Sequence, residues 1–470
     1  MPLKYLFFFG ISQFRRRFGD ILLNSSRKSE IIPVPASAPF GDPMDLIVRN
    51  ANLPDGRTGL DLGIRDGKFI AVEPGLQASA PTELDACGCL VSPPFVDAHF
   101  HMDATLSVGQ PRFNESGTLL EGIALWGELK PTLTGEDFKR RAHILCRWAI
   151  AKGNLAIRTH VDICDPALTA VRVLLEVRDE IKPWIDLQLV AFPQDGLFRD
   201  PKTESLLKQA LDLGVDVVGG IPHFERTADD GGRSVKTLCK IAAERGLMVD
   251  MHCDESDDPW SRHIETLVNE CQRIGLQGRV AGSHLTSMHS MDNYFADKLL
   301  HLMLEAEVHA IPNPLINITL QGRKDSYPKR RGMTRVKEMM QLGINYAFGH
   351  DCVLDPWYSM GSHDMLEVAQ MGLHVAQMTS VNEMKSVFDA VTVNAARVLQ
   401  LEGYGLSPGD NADMVILQAS DPSEAIRLRA NRLFVVRRGK IIARSHAVTS
   451  KVEFLGDSYN VDFDASDAYL

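Results

Sequence analysis

Phe95-Val96-Asp97-Ala98-His99-Phe100-His101 is the stretch on which the fold turns. It follows the apolar, turn-bounded run Cys89-Leu90-Val91-Ser92-Pro93-Pro94, so its two histidines fall at the end of a β-strand. Residues two apart on a strand project to the same face, so His99 and His101 can reach one ion while Phe100 packs the other way. Two imidazoles on one face make half a metal site. A His-x-His pair is also common on ordinary surfaces and in cores, so the other half has to be found elsewhere in the chain.

Beyond His101 the chain repeats strand, loop and helix. Strand-like runs follow at 155–163, 185–192, 215–221, 247–252, 279–284, 307–311 and 344–349, with amphipathic helical segments between them such as 138–151, 168–181 and 264–274. Many of these helices finish at a glycine (Gly153, Gly214, Gly246, Gly275, Gly343), which suits a left-handed cap before the next strand. With the opening strand this gives eight β-elements, and the fold class predicted is α/β, a (β/α)8 TIM-type barrel. The rival is a doubly wound open sheet, but no Gly-x-Gly-x-x-Gly follows the first strand.

A barrel assembles its site at the C-terminal ends of its strands. Strand one ends in His99 and His101, strand two in His160 and Asp162, strand three in Gln194, and strand four in His223 and Glu225. Strand five ends in His252, Asp254 and Glu255, strand six in His284, and strand eight in His350-Asp351. Packing gives no simple account of this recurrence, because buried polar groups cost free energy unless something binds them. A catalytic transition metal wants three or four nitrogen or oxygen ligands and a position left for water; His99, His101, His252 and Asp351 would supply them. The metal would lower the pKa of its water, which brings hydrolysis within reach.

The ends of the chain read differently. Residues 45–74 form short strand-like runs around the turn Asp66-Gly67-Lys68, and 412–417 and 433–442 repeat that style around Arg438-Gly439-Lys440. Neither end has enough strands for a stable sheet alone, so the two are expected to combine into a small β-sandwich. The expected division is a basic extension at 1–43, a composite β-domain from 44–91 and 405–446, the catalytic barrel at 92–404, and a tail at 447–470. The extension carries Arg15, Arg16 and Arg17 with Asp20 as the one acid before Lys28, which fits an organelle presequence, an upstream start or a disordered tail.

A formal net charge of −11 argues against a general nucleic-acid binder, and the basic cluster at Arg323-Lys324 and 329–331 reads as a solvated loop. The sequence contains no run of 18 apolar residues to span a membrane. Its eight cysteines include no Cys-x-x-Cys, which makes a reducing, cytoplasmic setting the default.

Several stretches together resemble the amidohydrolase superfamily, and within it the bacterial cytosine deaminase group. They are 96–101, Val190-Ala191-Phe192-Pro193-Gln194, Ile221-Pro222-His223-Phe224-Glu225, Met251-His252-Cys253-Asp254-Glu255, Ser283-His284, Gly349-His350-Asp351, Ser116-Gly117-Thr118-Leu119, 327–332 and Asp355-Pro356-Trp357-Tyr358. The resemblance covers roughly residues 45 to 445, with its motifs in order. It implies one divalent metal ion, iron or zinc, held by His99, His101, His252 and Asp351, a small heterocyclic substrate, and a homo-oligomer. Bimetallic relatives carry a carbamylated lysine at the end of strand four, where this chain has His223-Phe224-Glu225. The resemblance also implies that Glu255 protonates a ring nitrogen, while His284 and Asp351 shuttle the proton toward departing ammonia.

The chemistry suits those assignments. An amino-substituted aromatic ring resists attack until it is protonated, and Glu255 lies three residues beyond His252. The Gln194 amide both donates and accepts, matching a ring carbonyl beside a ring N–H. The backbone of Leu119, in a long loop, would add to recognition, and Phe192 and Trp357 would wall the flat ring. Asp97, His160, Asp162 and His223 read as supports for ligands. His143, His263, His301, His309, His363 and His374 read as structural or solvated, and His350 as pointing away from the ion.

Cys352 follows Asp351 where the cytosine deaminase pattern carries a second acid, and Leu354 replaces an aromatic residue. Loss of a carboxylate at that rim removes an acceptor and admits a more apolar or bulkier edge. Isocytosine, a methylated cytosine, isoguanine, creatinine or a triazine then join cytosine as expected substrates. A cyclic-amide hydrolase on the same scaffold is the alternative enzyme, and a catalytically silent scaffold protein is the alternative outside enzymes.

Overall fold

The computed structural model describes residues 43–463. The basic extension therefore lies outside the described residues apart from Pro43. The first strands are β1 (Leu46–Ala51), β2 (Leu60–Arg65), β3 (Lys68–Glu73) and β4 (Thr82–Asp85). They form one sheet in the order β3-β2-β1-β4. Asp66 and Gly67 both take positive φ (51° and 72°), the backbone that a tight hairpin between twisted strands requires.

After β5 (Leu90–Ser92) comes the barrel: β6 (Phe95–Phe100), β7 (Asn154–Asp162), β8 (Asp186–Phe192), β9 (Val217–Gly220), β10 (Met248–Cys253), β11 (Val280–His284) and β12 (His309–Ile311). These seven strands are parallel and neighbour one another in chain order. Helices such as Gly135–Ala151, Ala228–Arg245 and His263–Ile274 return the chain between them. Gly246 (φ 69°) and Gly275 (φ 75°) cap the last two helices in the left-handed conformation, so each chain reverses directly into the following strand.

The predicted eighth strand is not a regular one. The segment 344–351 closes the barrel through two isolated parallel bridges, Ala310 with Tyr346 and Phe100 with Asp351. The reason lies at Gly349, which is pressed against its neighbours: a β-carbon there would stand 2.5 Å from Asn313 Oδ1 and 2.6 Å from His99 Cβ. Asp351 then turns into the left-handed region (φ 68°), which ends any ladder.

The far end of the barrel is closed by helix Val393–Val398. Its Ala395, Ala396 and Val398 pack on Val96, Ala98, Ala156, Ala281, Ile311 and Ala347 in one small apolar cluster. The chain then returns to the β-domain as β13 (Met414–Leu417), β14 (Arg432–Arg437) and β15 (Lys440–Arg444), in a second sheet ordered β15-β14-β13-β5. Leu46, Leu62, Ile64 and Phe69 of the first sheet share one core with Val91, Met414, Ile416 and Val436 of the second, which makes the pair a sandwich. Within the expected tail, β16 (Ser450–Phe454) and β17 (Asp457–Val461) form a separate two-stranded hairpin.

Candidate active site

A cavity of about 420 Å³ opens at the C-terminal ends of the barrel strands, with His101, His252, Glu255, His284 and Asp351 in its wall. The register of β6 on β7 slips between Asp97 and Phe100, and this irregularity brings the two histidines together at the strand end. Their rings lie 5.5 Å apart at a steep angle, while Phe100 packs on His363 on the other side.

Four predicted ligands meet there. His101 Nε2 is 3.0 Å from His252 Nε2, and Asp351 Oδ1 is 3.5 Å from His99 Nε2 and 3.4 Å from His101 Nε2. All four donor atoms lie within 4.8 Å of one another, and all four residues are buried. Burial pushes the His101 imidazole down to about 4 and holds His252 well below its ordinary value, so their ring nitrogens offer lone pairs at neutral pH. Burial works against the Asp351 carboxylate, but His99 and His284 beside it hold its pKa well below the usual range. His99 Nε2 is buried with no hydrogen-bond partner. Converging imidazole lone pairs and one carboxylate fit a divalent ion such as zinc or iron. His99, His160 and Asp250 make a second group of possible donors, but Ser283 and Arg158 already occupy the Asp250 oxygens and Ser283 occupies His99 Nδ1.

Glu255 is buried beside these ligands, and burial together with the Asp351 charge pushes its pKa well above the carboxylate range. His284 stands between the two acids, with Nδ1 3.6 Å from Glu255 Oε1 and Nε2 3.8 Å from Asp351 Oδ2. Asn317 Nδ2 lies 3.0 Å from His284 Nδ1, and Asn313 Nδ2 donates to Asp351 Oδ2 at 3.2 Å. Non-glycine residues with left-handed backbone cluster here: Asp254, His284, Leu285 and Asp351. Such strain is held in place by the surrounding structure.

Gln194, Leu119, Trp357 and Cys352 line the same cavity. Leu119 is the first residue of helix Leu119–Leu129, capped by Thr118, and does not lie in a loop. Asp162 pins that helix to β7 by accepting from Trp126 Nε1 (2.9 Å) and Lys130 Nζ (2.8 Å). Phe192 departs from its expected place as a wall of the ring site. It is 1% exposed and stacks on His252, ring centroids 4.1 Å apart, so it backs that imidazole instead. Leu354, expected at the rim, is not among the cavity-lining residues: partly buried, with a left-handed backbone (φ 49°), it packs against the apolar core. Cys352 is buried, and burial with the nearby Asp355 pushes its thiol well above its ordinary value, which leaves a neutral, weakly polar wall.

The supporting residues divide. Asp97 accepts from the His99 and His350 amides and from His363 Nε2, and His160 packs 4.1 Å from the His99 ring. His350 turns to its own loop, Nδ1 lying 2.9 Å from Cys352 O. His223 lines the cavity itself and has an unpartnered Nδ1. His263, read as structural or solvated, also reaches the cavity wall and pairs with Asp254 at 2.7 Å. The sequence assigns no role to Asn313, Asn317, Ser283 or Asp250. Asp250 lies two residues before His252 on β10, and that same-face spacing is a signal that could have found it.

The model of the amidohydrolase family matches residues 82–443. N-isopropylammelide isopropyl amidohydrolase of Pseudomonas sp. (strain ADP) is 30% identical over 416 residues, 86% of this chain and 99% of that protein. Pterin deaminase of Rhizobium rhizogenes is 28% identical across 83% of this chain and 89% of its own length. Among solved structures, 5-methylcytosine deaminase from Klebsiella pneumoniae liganded with phosphonocytosine shares 41% identity at a TM-score of 0.83, covering 85% of this chain and 98% of that one.

Proposed function

Because the chain belongs to the amidohydrolase family, and so is a hydrolase acting on carbon–nitrogen bonds, we propose that it deaminates cytosine or a closely related amino-heterocycle to the oxo product and ammonia. What carries the reading is one convergence: four potential metal ligands, and beside them a buried Glu255 with a raised pKa 3.6 Å from His284.

A divalent ion held by His99, His101, His252 and Asp351 would supply Lewis acidity and a water of lowered pKa. The rest falls to the chain. Glu255, whose buried setting favours the protonated carboxyl, delivers a proton to a ring nitrogen, which makes the adjacent carbon electrophilic. His284 and Asp351 orient the incoming water, take its first proton and pass it to the departing amine, while the second, from the hydroxyl now on the ring carbon, returns to Glu255 through its contact with His284. Gln194 reads the ring edge through its amide, and Trp357 covers the ring face.

Cys352 refines the substrate. A neutral thiol beside Asp351 offers an apolar edge where a second carboxylate would demand a donor, which supports a cytosine carrying an apolar substituent, such as 5-methylcytosine. The 41%-identical Klebsiella pneumoniae enzyme supports the same choice. A second reading, an N-alkylated aminotriazine of the ammelide type, is favoured by the apolar wall of Leu119, Leu120, Ile123, Ile316 and Leu320. Ammonia and alkylamine release from both ring types, on the parent and on Cys352→Asp, separates them. Faster release from cytosine and slower release from 5-methylcytosine in Cys352→Asp is the expected result. No release from any amino-heterocycle, with turnover of cyclic amides, would sink the deaminase.

We also infer assembly with a second copy of the chain. On the β16–β17 hairpin, Val452, Phe454, Tyr459 and Val461 share one face, Lys451, Glu453, Ser458 and Asn460 the other, and none of these side chains is buried. At roughly 30–40 Å² per interface residue, one arm of this length falls short of a stable interface, whereas two arms exchanged around a twofold axis approach the usual ~800 Å² per partner.

A further inference from the structure

Beneath His99, on the side away from the cavity, a file of polar side chains runs through the barrel interior. His99 Nδ1 lies 2.9 Å from Ser283 Oγ, and Ser283 Oγ donates to Asp250 Oδ1 at 2.7 Å. Arg158 Nη1 donates to the other Asp250 oxygen at 3.0 Å. The guanidinium is itself fixed, its Nε donating to Gln188 Oε1 (2.9 Å) and its Nη2 to the carbonyl of Val398 in the helix that closes the far end (2.9 Å). Gln188 Nε2 in turn donates to Leu399 O at 2.9 Å. His99, Ser283 and Asp250 are fully buried, and Arg158 is 1% exposed.

We propose that Ser283, Asp250 and Arg158 form a positioning column that fixes the tautomer and ring orientation of His99 and thereby sets the metal affinity of the centre. This rests on the reading of His99 as a ligand. The direction of each bond follows from the one below it. Arg158 can only donate, so Asp250 faces it as an acceptor. The Ser283 hydroxyl gives its hydrogen to Asp250, which leaves its oxygen to accept from His99 Nδ1–H. The His99 proton is thereby held on Nδ1, and the lone pair on Nε2 faces Asp351 Oδ1 at 3.5 Å.

Stability alone is a poor account of the column. A buried Arg–Asp pair roughly breaks even against well-packed apolar residues of the same volume. Ligating histidines, by contrast, depend on the partner of their second nitrogen, and removal of that partner weakens metal binding 10- to 100-fold.

Zinc affinity, measured by competition with a chromogenic chelator, tests the proposal without reference to turnover. Ser283→Ala should raise the zinc dissociation constant by about 10- to 100-fold, while Ser283→Thr, which keeps the hydroxyl, should stay within a few-fold of the parent. The ligand-field absorption of the cobalt(II) form should shift in Ser283→Ala and remain in Ser283→Thr. Should Ser283→Ala prove unfolded by circular dichroism, Asp250→Leu with Arg158→Met removes the ion pair together and should weaken zinc to a similar extent. A folded variant of either kind that binds zinc as tightly as the parent overturns the column. So does Ser283→Thr losing as much affinity as Ser283→Ala, since hydroxyl chemistry would then be irrelevant. A parent that binds no zinc, cobalt or iron overturns the ligand reading of His99 itself, an outcome distinct from the other two.

Discussion

The indole of Trp357 rests against the bare backbone of Gly122: a β-carbon on Gly122 would stand 2.3 Å from Trp357 Cδ1 and 2.6 Å from its Nε1. Helix Leu119–Leu129 thus holds the aromatic cover of the cavity by having no side chain at one position. Gly122→Ala would ordinarily favour a helix by up to about 1 kcal/mol. Here it should displace Trp357 and raise KM about tenfold or more, with a smaller effect on kcat. Steady-state kinetics check this, and an unchanged KM would show that Trp357 does not cover substrate.

Glu255, three residues beyond His252, has a duty separable from that of His252 in the proposed reaction. Glu255→Gln should retain near-parental metal content and lose ammonia release by a factor of about 10² to 10⁴, the usual worth of a positioned proton donor. His252→Ala should lose metal and activity together. Metal analysis beside an ammonia assay distinguishes the two, and a Glu255→Gln enzyme close to parental rate would refute the proton-donor role.

Asp355 makes stability depend on pH. Burial pushes its carboxyl up to about 7, against hydrogen bonds from Cys352 and from the Tyr358 and Trp357 amides. A carboxyl whose folded pKa lies above its unfolded value of 3.8 binds its proton more tightly in the folded state. The stability it confers is complete below the unfolded value and is lost as pH rises through about 7, with a slope approaching roughly 1.4 kcal/mol per pH unit. Asp355→Asn keeps an oxygen for both amides and should flatten the fall in Tm across that window. Parallel curves for parent and variant would remove Asp355 as the cause.

The exposed face of the C-terminal hairpin gives a prediction on assembly. Phe454, 60% exposed, lies beside Val452 on that face. Phe454→Glu should reduce the mass in sedimentation equilibrium while leaving the Tm of the released protomer within a few degrees. An equal mass for parent and variant, or a monomeric parent, would disprove the exchanged arm.

The barrel was legible because its periodicities are strong: glycine caps such as Gly246 and Gly275 mark where each helix gives way to a strand. Polar residues at strand ends pointed to the cavity because parallel strands share one C-terminal edge. The remaining contacts are made across strands and leave no mark on any one of them. Phe192 reads as a flat wall by residue type, and only the barrel, which brings side chains of β8 and β10 together, places it against the His252 ring. Ser283 is an unremarkable strand residue until Asp250 and His99 from two other strands meet it. Strand seven ends in no charged residue, so Asn313 and Asn317, neutral and four apart, give no signal in the sequence.

The irregular eighth element has a consequence for how the protein would answer to its ion. Asp351 ends a segment that joins the barrel by isolated bridges and a few backbone hydrogen bonds rather than by a regular ladder, and the three proposed histidine ligands stand on or just beyond the regular strands β6 and β10. A cation shared between Asp351 and those histidines would act as a rivet across the seam. Loading and curvature of the barrel wall would then be coupled, and amide hydrogen exchange at Ala347 and Asp351, which donate to Ala310 O and His99 O, should slow on metal addition more than anywhere else in the sheet.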